Sequence, residues 1–244
     1  MATFVVAHGA WSSSWAWKKM RPLMREAGHD LSVPAYTGLG ERAHAASPAV
    51  SLDTHIADVI GVIEMEDLRD IVLVGHSYGG MVATGVAAAA RKRIRHLAYL
   101  DAFVPLPGQS LLDLQPTAHR TRLIAAATAH GQGWRVPPQA PPPDTSPEDL
   151  DWMTPRRMPQ PLLTFTTPLS PLLVPYAGPR TYIFCTRVGP ADSFRPFADR
   201  ARSEPGWRYL ELDASHNPHI TVPGRLMAVL ADIAAVSQAT PSRS

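Results

Sequence analysis

The sequence predicts an α/β protein in which helices cover both faces of a mostly parallel sheet, interrupted by one long proline-rich insertion. Short apolar segments alternate with amphipathic ones, which is the pattern of parallel strands joined by crossover helices. The 244 residues are 45% apolar and 18% charged, a composition that supplies a core for one domain. The 25 prolines are about twice the ordinary share and concentrate in residues 105–179.

The first half of the chain alternates strands and helices. Continuous apolar runs bounded by glycine indicate buried strands, and apolar residues at intervals of three and four indicate helices. Gly28 is the expected C-terminal cap of the first helix. The predicted order is a strand at 4–7, a helix at 15–28, a weak strand at 30–34, a loop at 36–48, a helix at 53–65, a strand at 71–74, a helix at 81–91 and a strand at 97–100.

The alternation stops after Phe103 and resumes near Thr181. In the insertion we expect only short helical pieces, near Leu111 and over 122–129, because proline limits long helices. The later elements are a strand at 182–185, a helix at 194–202, a strand at 207–212 and a helix at 224–236. The predicted organisation is therefore one core formed by residues 1–104 and 180–237, an inserted cap at 105–179 and a frayed tail at 238–244.

Charge and cysteine content exclude several classes of protein. The single cysteine, Cys185, excludes an intramolecular disulfide framework and a cysteine-rich zinc site, and no metal or cofactor is expected. A net charge of +2 gives no electrostatic footprint for nucleic acid. We find neither a secretory signal nor a run of roughly 18 apolar residues that would span a membrane. These observations predict a cytoplasmic protein with a small-molecule partner, and they leave monomer and homodimer open.

The pattern G-x-S-x-G at residues 75–79 is the first candidate for chemistry. It lies directly between a predicted strand and a predicted helix, where a tight turn strains its central residue and small neighbours relieve the crowding. Ser77 would stand at the carboxyl end of the sheet, beside a helix N-terminus that stabilises negative charge. This context predicts that Ser77 is a nucleophile rather than part of an ordinary turn.

A serine hydroxyl needs a base within hydrogen-bond reach. His216 lies in the first loop positions after the last predicted strand, and His219 sits a few residues further on, close to the last helix, so His216 is the expected base. An acid must then orient the imidazole. Asp101 stands at the tip of its strand, whereas Asp192 lies seven residues past the strand that ends at Cys185. Asp101 is therefore preferred, with Asp192 as the alternative.

Acyl transfer also needs donors for the oxyanion of the tetrahedral intermediate. The backbone N–H of Tyr78 is one donor by its position after the nucleophile. The loop after the first strand should supply the second, and Gly9 allows its backbone to approach. Ala10 is the expected donor and Trp11 the next candidate, while His8 is interpreted as a residue that organises this loop.

At these residues the chain resembles proteins of the α/β-hydrolase fold. More narrowly, it resembles the esterase and hydroxynitrile lyase group, which includes plant methyl-salicylate esterases and bacterial pyrethroid-type carboxylesterases. The resemblance rests on residues 4–11, 15–29, 75–80 and 215–216. It implies that the insertion is a lid over the substrate pocket.

The chain departs from this group at two places, the position of the triad acid and the residue after the histidine. The triad acid of the group usually follows the strand after the lid, where this chain has Arg187 or its neighbours. Haloalkane dehalogenases carry the acid after the preceding strand, in a context that Tyr-Leu-Asp at 99–101 matches, so the resemblance also favours Asp101. Hydroxynitrile lyases of the group carry lysine where this chain has Asn217, so cyanohydrin cleavage is not expected. Ser77 in place of an aspartate nucleophile excludes a dehalogenase.

The sequence thus predicts a serine hydrolase of a carboxylic ester or lactone with an apolar or aromatic group. The alternatives are hydrolysis of a carbon–carbon bond in a β-diketone and ligand binding without turnover. Ordinary packing of the lid explains its aromatic residues at least as well as substrate contact does. Arg156 and Arg157 are interpreted as surface arginines, with binding of a substrate carboxylate as the alternative. The candidate substrate contacts are Trp11, Trp134, Trp152 and Phe165.

Overall fold

A parallel β-sheet forms the centre of the structure, a computed structural model that describes residues 1–188 and 192–239. Its strands, with two short ones from the insertion, are β1 (Thr3–Ala7), β2 (Asp30–Ser32), β3 (Ile71–His76), β4 (Ile94–Leu100), β5 (Arg135–Val136), β6 (Gln160–Pro161), β7 (Arg180–Cys185) and β8 (Trp207–Leu212). Among the described residues six strands pair in the order β2-β1-β3-β4-β7-β8, all in parallel. The predicted fold class is confirmed.

Helices cover both faces of this sheet, as the alternation predicts. The helices of the described residues are α1 (Met20–Glu26), α2 (Leu52–Met65), α3 (Gly79–Ala89), α4 (Thr117–His130), α5 (Pro147–Met153), α6 (Leu163–Thr166), α7 (Arg195–Ser203), α8 (Pro218–Thr221) and α9 (Pro223–Ala239), of which α4, α5 and α6 belong to the insertion. Side chains of β1 alternate between two cores, since Phe4 and Val6 belong to the core that contains residues of α1 and α9, while Val5 belongs to the core that contains residues of α2 and α3. Within the described part of the chain, every helix is too short or too polar to cross a membrane.

The insertion between β4 and β7 contains more helix than its proline content predicts. The second of its two expected helical pieces covers 122–129, whereas α4 extends from Thr117 to His130. The reason is that Pro116 immediately precedes α4, and the next proline is Pro137, so α4 lies in a proline-free stretch. Helix α5 was not predicted, although Ser146 accepts a hydrogen bond from the Asp149 amide at 3.2 Å and Pro147 occupies the first helical position.

Two other segments differ from the predicted boundaries. The expected helix over 15–28 is divided into a 3₁₀ turn at Ser14–Trp17 and α1, and Gly28 follows α1 with φ +73°. The last helix continues to Ala239, beyond the expected end at residue 236 and into the first two residues of the expected tail. The rest of that tail, residues 240–244, lies outside the described residues.

Gly79 determines how closely α3 approaches β1. A Cβ at this position would lie 1.9 Å from the carbonyl oxygen of Ala7, which is backbone and cannot move aside. We expect Gly79→Ala to lower the free energy of unfolding by at least about 2 kcal/mol, measured by denaturant unfolding. Gly61→Ala in α2 is the matched control. A Cβ there meets nothing within 4 Å, so this variant should be about 0.5–1 kcal/mol more stable. Equal stabilities of the two variants would contradict this interpretation.

Candidate active site

Ser77 occupies a strained turn between β3 and α3. Its φ is +57°, in the left-handed region that residues with a Cβ rarely adopt. Gly75 lies on the strand side of this turn, and a Cβ there would come within 2.8 Å of the Ala83 Cβ and of the Gly79 carbonyl oxygen. The turn therefore needs small neighbours, as the G-x-S-x-G pattern predicts.

His216 follows β8, and its Nε2 lies 2.9 Å from Ser77 Oγ. Two residues that sequence reasoning missed hold its position. The ring of Phe194 stacks on the imidazole with centroids 4.8 Å apart and planes 9° apart. The Nε2–H of His76 donates to the backbone carbonyl of His216 at 2.8 Å. The first contact fixes the plane of the His216 ring and the second fixes its backbone.

Asp101 completes this line of hydrogen bonds. His216 Nδ1–H donates to Asp101 Oδ2 at 2.7 Å, and the Cys185 amide donates to Oδ1 at 3.3 Å. The Asp101 carboxyl is almost fully buried, and burial raises its pKa, while the hydrogen bond and charge interaction with His216 act in the opposite direction. A carboxylate at Nδ1 leaves Nε2 free to accept the proton of Ser77.

The alternative acid, Asp192, contacts different groups. Its Oδ1 accepts from the backbone amides of Phe194 and Arg195, both at 3.0 Å, and its Oδ2 accepts from Arg195 Nε at 3.0 Å. Asp192 therefore binds the first residues of α7, and among the described residues it makes no hydrogen bond to His216. Of the two candidates, Asp101 is the one that contacts the histidine.

The loop after β1 lies against the serine. A Cβ on Gly9 would be 3.3 Å from Ser77 Cβ. The backbone amides of Ala10 and Tyr78 have no hydrogen-bond acceptor within the part of the chain that the structure describes. The Trp11 amide, in contrast, donates to Gln160 Oε1 at 3.2 Å. Because its proton is already bound, Trp11 is less suited than Ala10 to be an oxyanion donor.

Gln160 connects this loop to the insertion, a role that sequence reasoning missed. Its side chain is fully buried, and its Nε2 donates to Thr164 Oγ1 at 2.8 Å. The Trp11 indole also donates to the Val136 carbonyl at 2.9 Å, on the strand that pairs with Gln160. Trp11 itself has φ +57°, so these bonds hold a strained backbone beside Ala10.

We expect Gln160→Leu to lower kcat for ester hydrolysis by about 10- to 100-fold, because removing an oxyanion donor outright costs about 10²–10³-fold. KM should change little, since the Gln160 side chain binds the Trp11 backbone and not the substrate. Steady-state kinetics with a soluble aryl ester measures both parameters. Gln160→Glu keeps an oxygen acceptor for the Trp11 amide and should retain more activity. An unchanged kcat in a folded Gln160→Leu protein would show that the loop does not need this bond.

Two other histidines near the site, His8 and His219, are buried and neutral. Burial lowers the pKa of His8 to about 4 and that of His219 to about 3. His8 Nδ1–H donates to the Gly9 carbonyl at 2.9 Å, and the His219 ring stacks on Trp17 with centroids 4.7 Å apart. Neither hydrogen-bonds to Ser77, so their roles are packing and support of the loop. Within the described residues, no cluster of histidine, cysteine or acidic side chains has the form of a metal site.

A cavity of about 420 Å³ contains Ser77 and His216. Trp11 and Phe165, two of the predicted substrate contacts, line it, and their rings meet edge to face at 5.9 Å. Trp134 and Trp152 are not among its lining residues. Trp152 packs instead on Trp15, with ring centroids 5.3 Å apart, and the guanidinium of Arg135 covers Trp134 at 4.4 Å.

The chain is similar to known enzymes, two of which match it over 95% or more of its length. A carbendazim-hydrolysing esterase from Nocardioides sp. strain SG-4G is 40% identical over 95% of this chain and 99% of its own length. An α-hydroxynitrile lyase of Arabidopsis thaliana is 27% identical over 42% of this chain and 40% of its own. A solved extracellular α/β-hydrolase from a Paenibacillus species, described as sharing structural and functional homology with tobacco salicylic acid-binding protein 2, matches with a TM-score of 0.80 and 26% identity, over 96% of this chain and 99% of that one. The family model for the α/β-hydrolase family matches residues 4–229, so this chain belongs to the α/β-hydrolase family.

Proposed function

We propose that this protein is a serine hydrolase that cleaves a carboxylic ester or lactone of a small apolar or aromatic substrate through an acyl-enzyme. The observation that carries the proposal is the hydrogen-bonded line from Ser77 Oγ through His216 to Asp101, with contacts of 2.9 and 2.7 Å at a cavity of about 420 Å³. A nucleophile, a base in contact with it and a buried acid behind the base are the arrangement that acyl transfer requires.

In the first half of the proposed reaction, Ser77 Oγ attacks the carbonyl carbon while its proton moves to His216 Nε2. The negative charge that develops on the carbonyl oxygen is stabilised by the free amides of Ala10 and Tyr78. His216 then returns the proton to the leaving oxygen, so the ester bond breaks and the alcohol departs. The acyl group stays on Ser77.

In the second half, a water molecule attacks the acyl carbon and gives a proton to His216 Nε2. The second tetrahedral intermediate uses the same two amides. When it collapses, the bond to Ser77 Oγ breaks, Ser77 recovers its proton from His216 and the carboxylic acid is released. Asp101 stabilises the imidazolium in both halves, and it holds the neutral imidazole in the tautomer with its proton on Nδ1.

The proposal assigns residues 105–179 the role of a lid that closes the cavity and selects the substrate. Support comes from the insertion residues that line the cavity. The apolar ones provide a surface for an aromatic or aliphatic group, and these are Leu111, Leu123, Met153 and Phe165, with prolines 141–143. The cavity volume suits a small substrate.

A substrate panel tests the proposed reaction. We expect hydrolysis of 4-nitrophenyl acyl esters with a preference among chain lengths, and turnover of aryl esters that the cavity admits. Carbendazim belongs in the panel, because the esterase that is 40% identical to this chain is named for hydrolysing it. Turnover of a β-diketone without any ester turnover would replace this proposal with carbon–carbon bond hydrolysis.

A further inference from the structure

The cavity carries an excess of positive charge on the side formed by the insertion. Its lining includes three arginines, Arg122, Arg157 and Arg187, and two aspartates, Asp101 and Asp192. Both aspartates have partners, since Asp101 accepts from His216 and Asp192 accepts from Arg195. Neither carboxylate is therefore available to balance an arginine that faces the cavity.

Two of these three arginines have no acidic partner among the described residues. Arg187 is bound by Asp213, with Nε–Oδ1 and Nη2–Oδ2 distances of 2.8 and 2.9 Å. Arg122 and Arg157, in contrast, make no ion pair with any described residue. The uncompensated charge comes from these two side chains, and both belong to the insertion.

Arg157 is the better placed of the two. Its side chain is half-buried, whereas Arg122 is exposed. One guanidinium nitrogen of Arg157 donates to the backbone carbonyl of Gln139. The side-chain amide of Gln139 donates to His119 Nε2 at 2.9 Å. A guanidinium has five N–H donors, so most of those on Arg157 have no acceptor among the described residues.

The pKa of Arg157 agrees with this lack of an acidic partner. Burial lowers that pKa, and no carboxylate among the described residues acts in the opposite direction. Arginine nevertheless stays protonated at every pH at which the protein is folded. A partly desolvated guanidinium with free donors attracts an anion, and a carboxylate matches its planar geometry with two parallel hydrogen bonds.

We propose that Arg157 binds a carboxylate of the substrate, so that the preferred substrates are esters with a free acid group at the end remote from the reacting carbonyl. Half-esters of dicarboxylic acids are the simplest compounds of this class. The inference rests on the proposed ester hydrolysis, since Ser77 would attack the ester while Arg157 holds the acid. The positive charge of Arg122, at the exposed rim of the cavity, adds a long-range attraction for the same substrate carboxylate.

Two matched esters test this inference. Mono-4-nitrophenyl adipate and 4-nitrophenyl hexanoate have the same chain length and leaving group, and differ only in a terminal carboxylate or methyl group. We expect the unmodified protein to have the higher kcat/KM for the adipate. Arg157→Gln should lower kcat/KM for the adipate by about 10- to 100-fold, which is the range for loss of a hydrogen-bonded charge pair. The same substitution should leave kcat/KM for the hexanoate nearly unchanged. Arg157→Lys keeps the charge and should restore part of the loss.

Arg156→Gln is the control, because Arg156 is exposed, lies outside the cavity lining and contacts Trp152. Arg156→Gln should leave kcat/KM unchanged for both esters. Equal effects of Arg157→Gln on the two esters, or no preference in the unmodified protein, would overturn the inference. Hydrolysis of neither ester, together with no turnover of any other ester in the substrate panel, would mean that the proposed function has failed. Calorimetric binding of monomethyl adipate to Ser77→Ala protein then decides the inference: loss of binding with added Arg157→Gln supports it, and unchanged binding overturns it.

Discussion

Replacing Ser77 with alanine is expected to lower kcat for ester hydrolysis by about 10⁶-fold, the loss seen when a triad nucleophile is removed. The reason is that His216 Nε2, 2.9 Å from Ser77 Oγ, would have no hydroxyl to activate, and no acyl-enzyme would form. Alanine keeps the Cβ at φ +57° and removes only one oxygen atom, so the backbone strain is unchanged and the fold should persist. Steady-state hydrolysis of a 4-nitrophenyl ester measures the loss, and a thermal melt verifies folding.

Ser215→Ala is the matched control for this prediction. Ser215 lines the same cavity and adjoins His216, yet its buried hydroxyl has no hydrogen-bond partner among the described residues. Its replacement should change kcat by less than about 10-fold, since the hydroxyl that is lost makes no hydrogen bond to a described residue. If Ser77→Ala kept a tenth of the activity, Ser77 would not be the nucleophile. A large loss in Ser215→Ala alone would point to Ser215 instead.

Asp101→Asn is expected to lower kcat by about 10⁴-fold with little change in KM, as loss of a triad acid does. Asparagine keeps the size of the side chain, but its amide group can donate to Nδ1. That donation favours the tautomer with the proton on Nε2, where it blocks acceptance of the Ser77 proton. The 2.7 Å bond from His216 to Asp101 makes the tautomer depend directly on this residue.

Asp192→Asn distinguishes the two candidate acids. Asp192 accepts from the first amides of α7 and from Arg195, so its replacement should cost about 1 kcal/mol of stability, as loss of a cap does. The kcat of the Asp192→Asn variant should stay within a few fold of the kcat of the unmodified protein. The reverse pattern, with a large kcat loss in Asp192→Asn and a small one in Asp101→Asn, would make Asp192 the acid.

The sequence predicts the sheet and the positions of the main candidate residues because both depend on local patterns. Buried parallel strands are continuous apolar runs, and their carboxyl ends meet at one edge of the sheet. Ser77 and Asp101 each follow such a run, His216 follows the edge strand β8, and in the structure the three lie in one hydrogen-bonded line. The distance of a residue from its strand end was sufficient to prefer Asp101 to Asp192.

The sequence did not predict the roles of residues whose contacts depend on how distant segments pack together. Gln160 contacts Trp11 across 149 positions in the chain, and no local pattern marks a glutamine as the partner of a distant backbone amide. Phe194 stacks on His216 only because of where α7 lies beside β8. The tryptophans of the insertion show the same limit, since Trp134 and Trp152 were candidates by residue type while their neighbours direct them away from the cavity.

Labelling with a fluorophosphonate tests the central claim most directly, because such a probe reacts only with a serine whose base and oxyanion donors are in place. The protein is incubated with the probe, and its intact mass and the modified peptide are determined by mass spectrometry. We expect one adduct per chain, located on Ser77, with labelling greatly slowed in Asp101→Asn. Absence of an adduct on the folded protein, or an adduct on another residue, would contradict the assignment of Ser77 as the nucleophile.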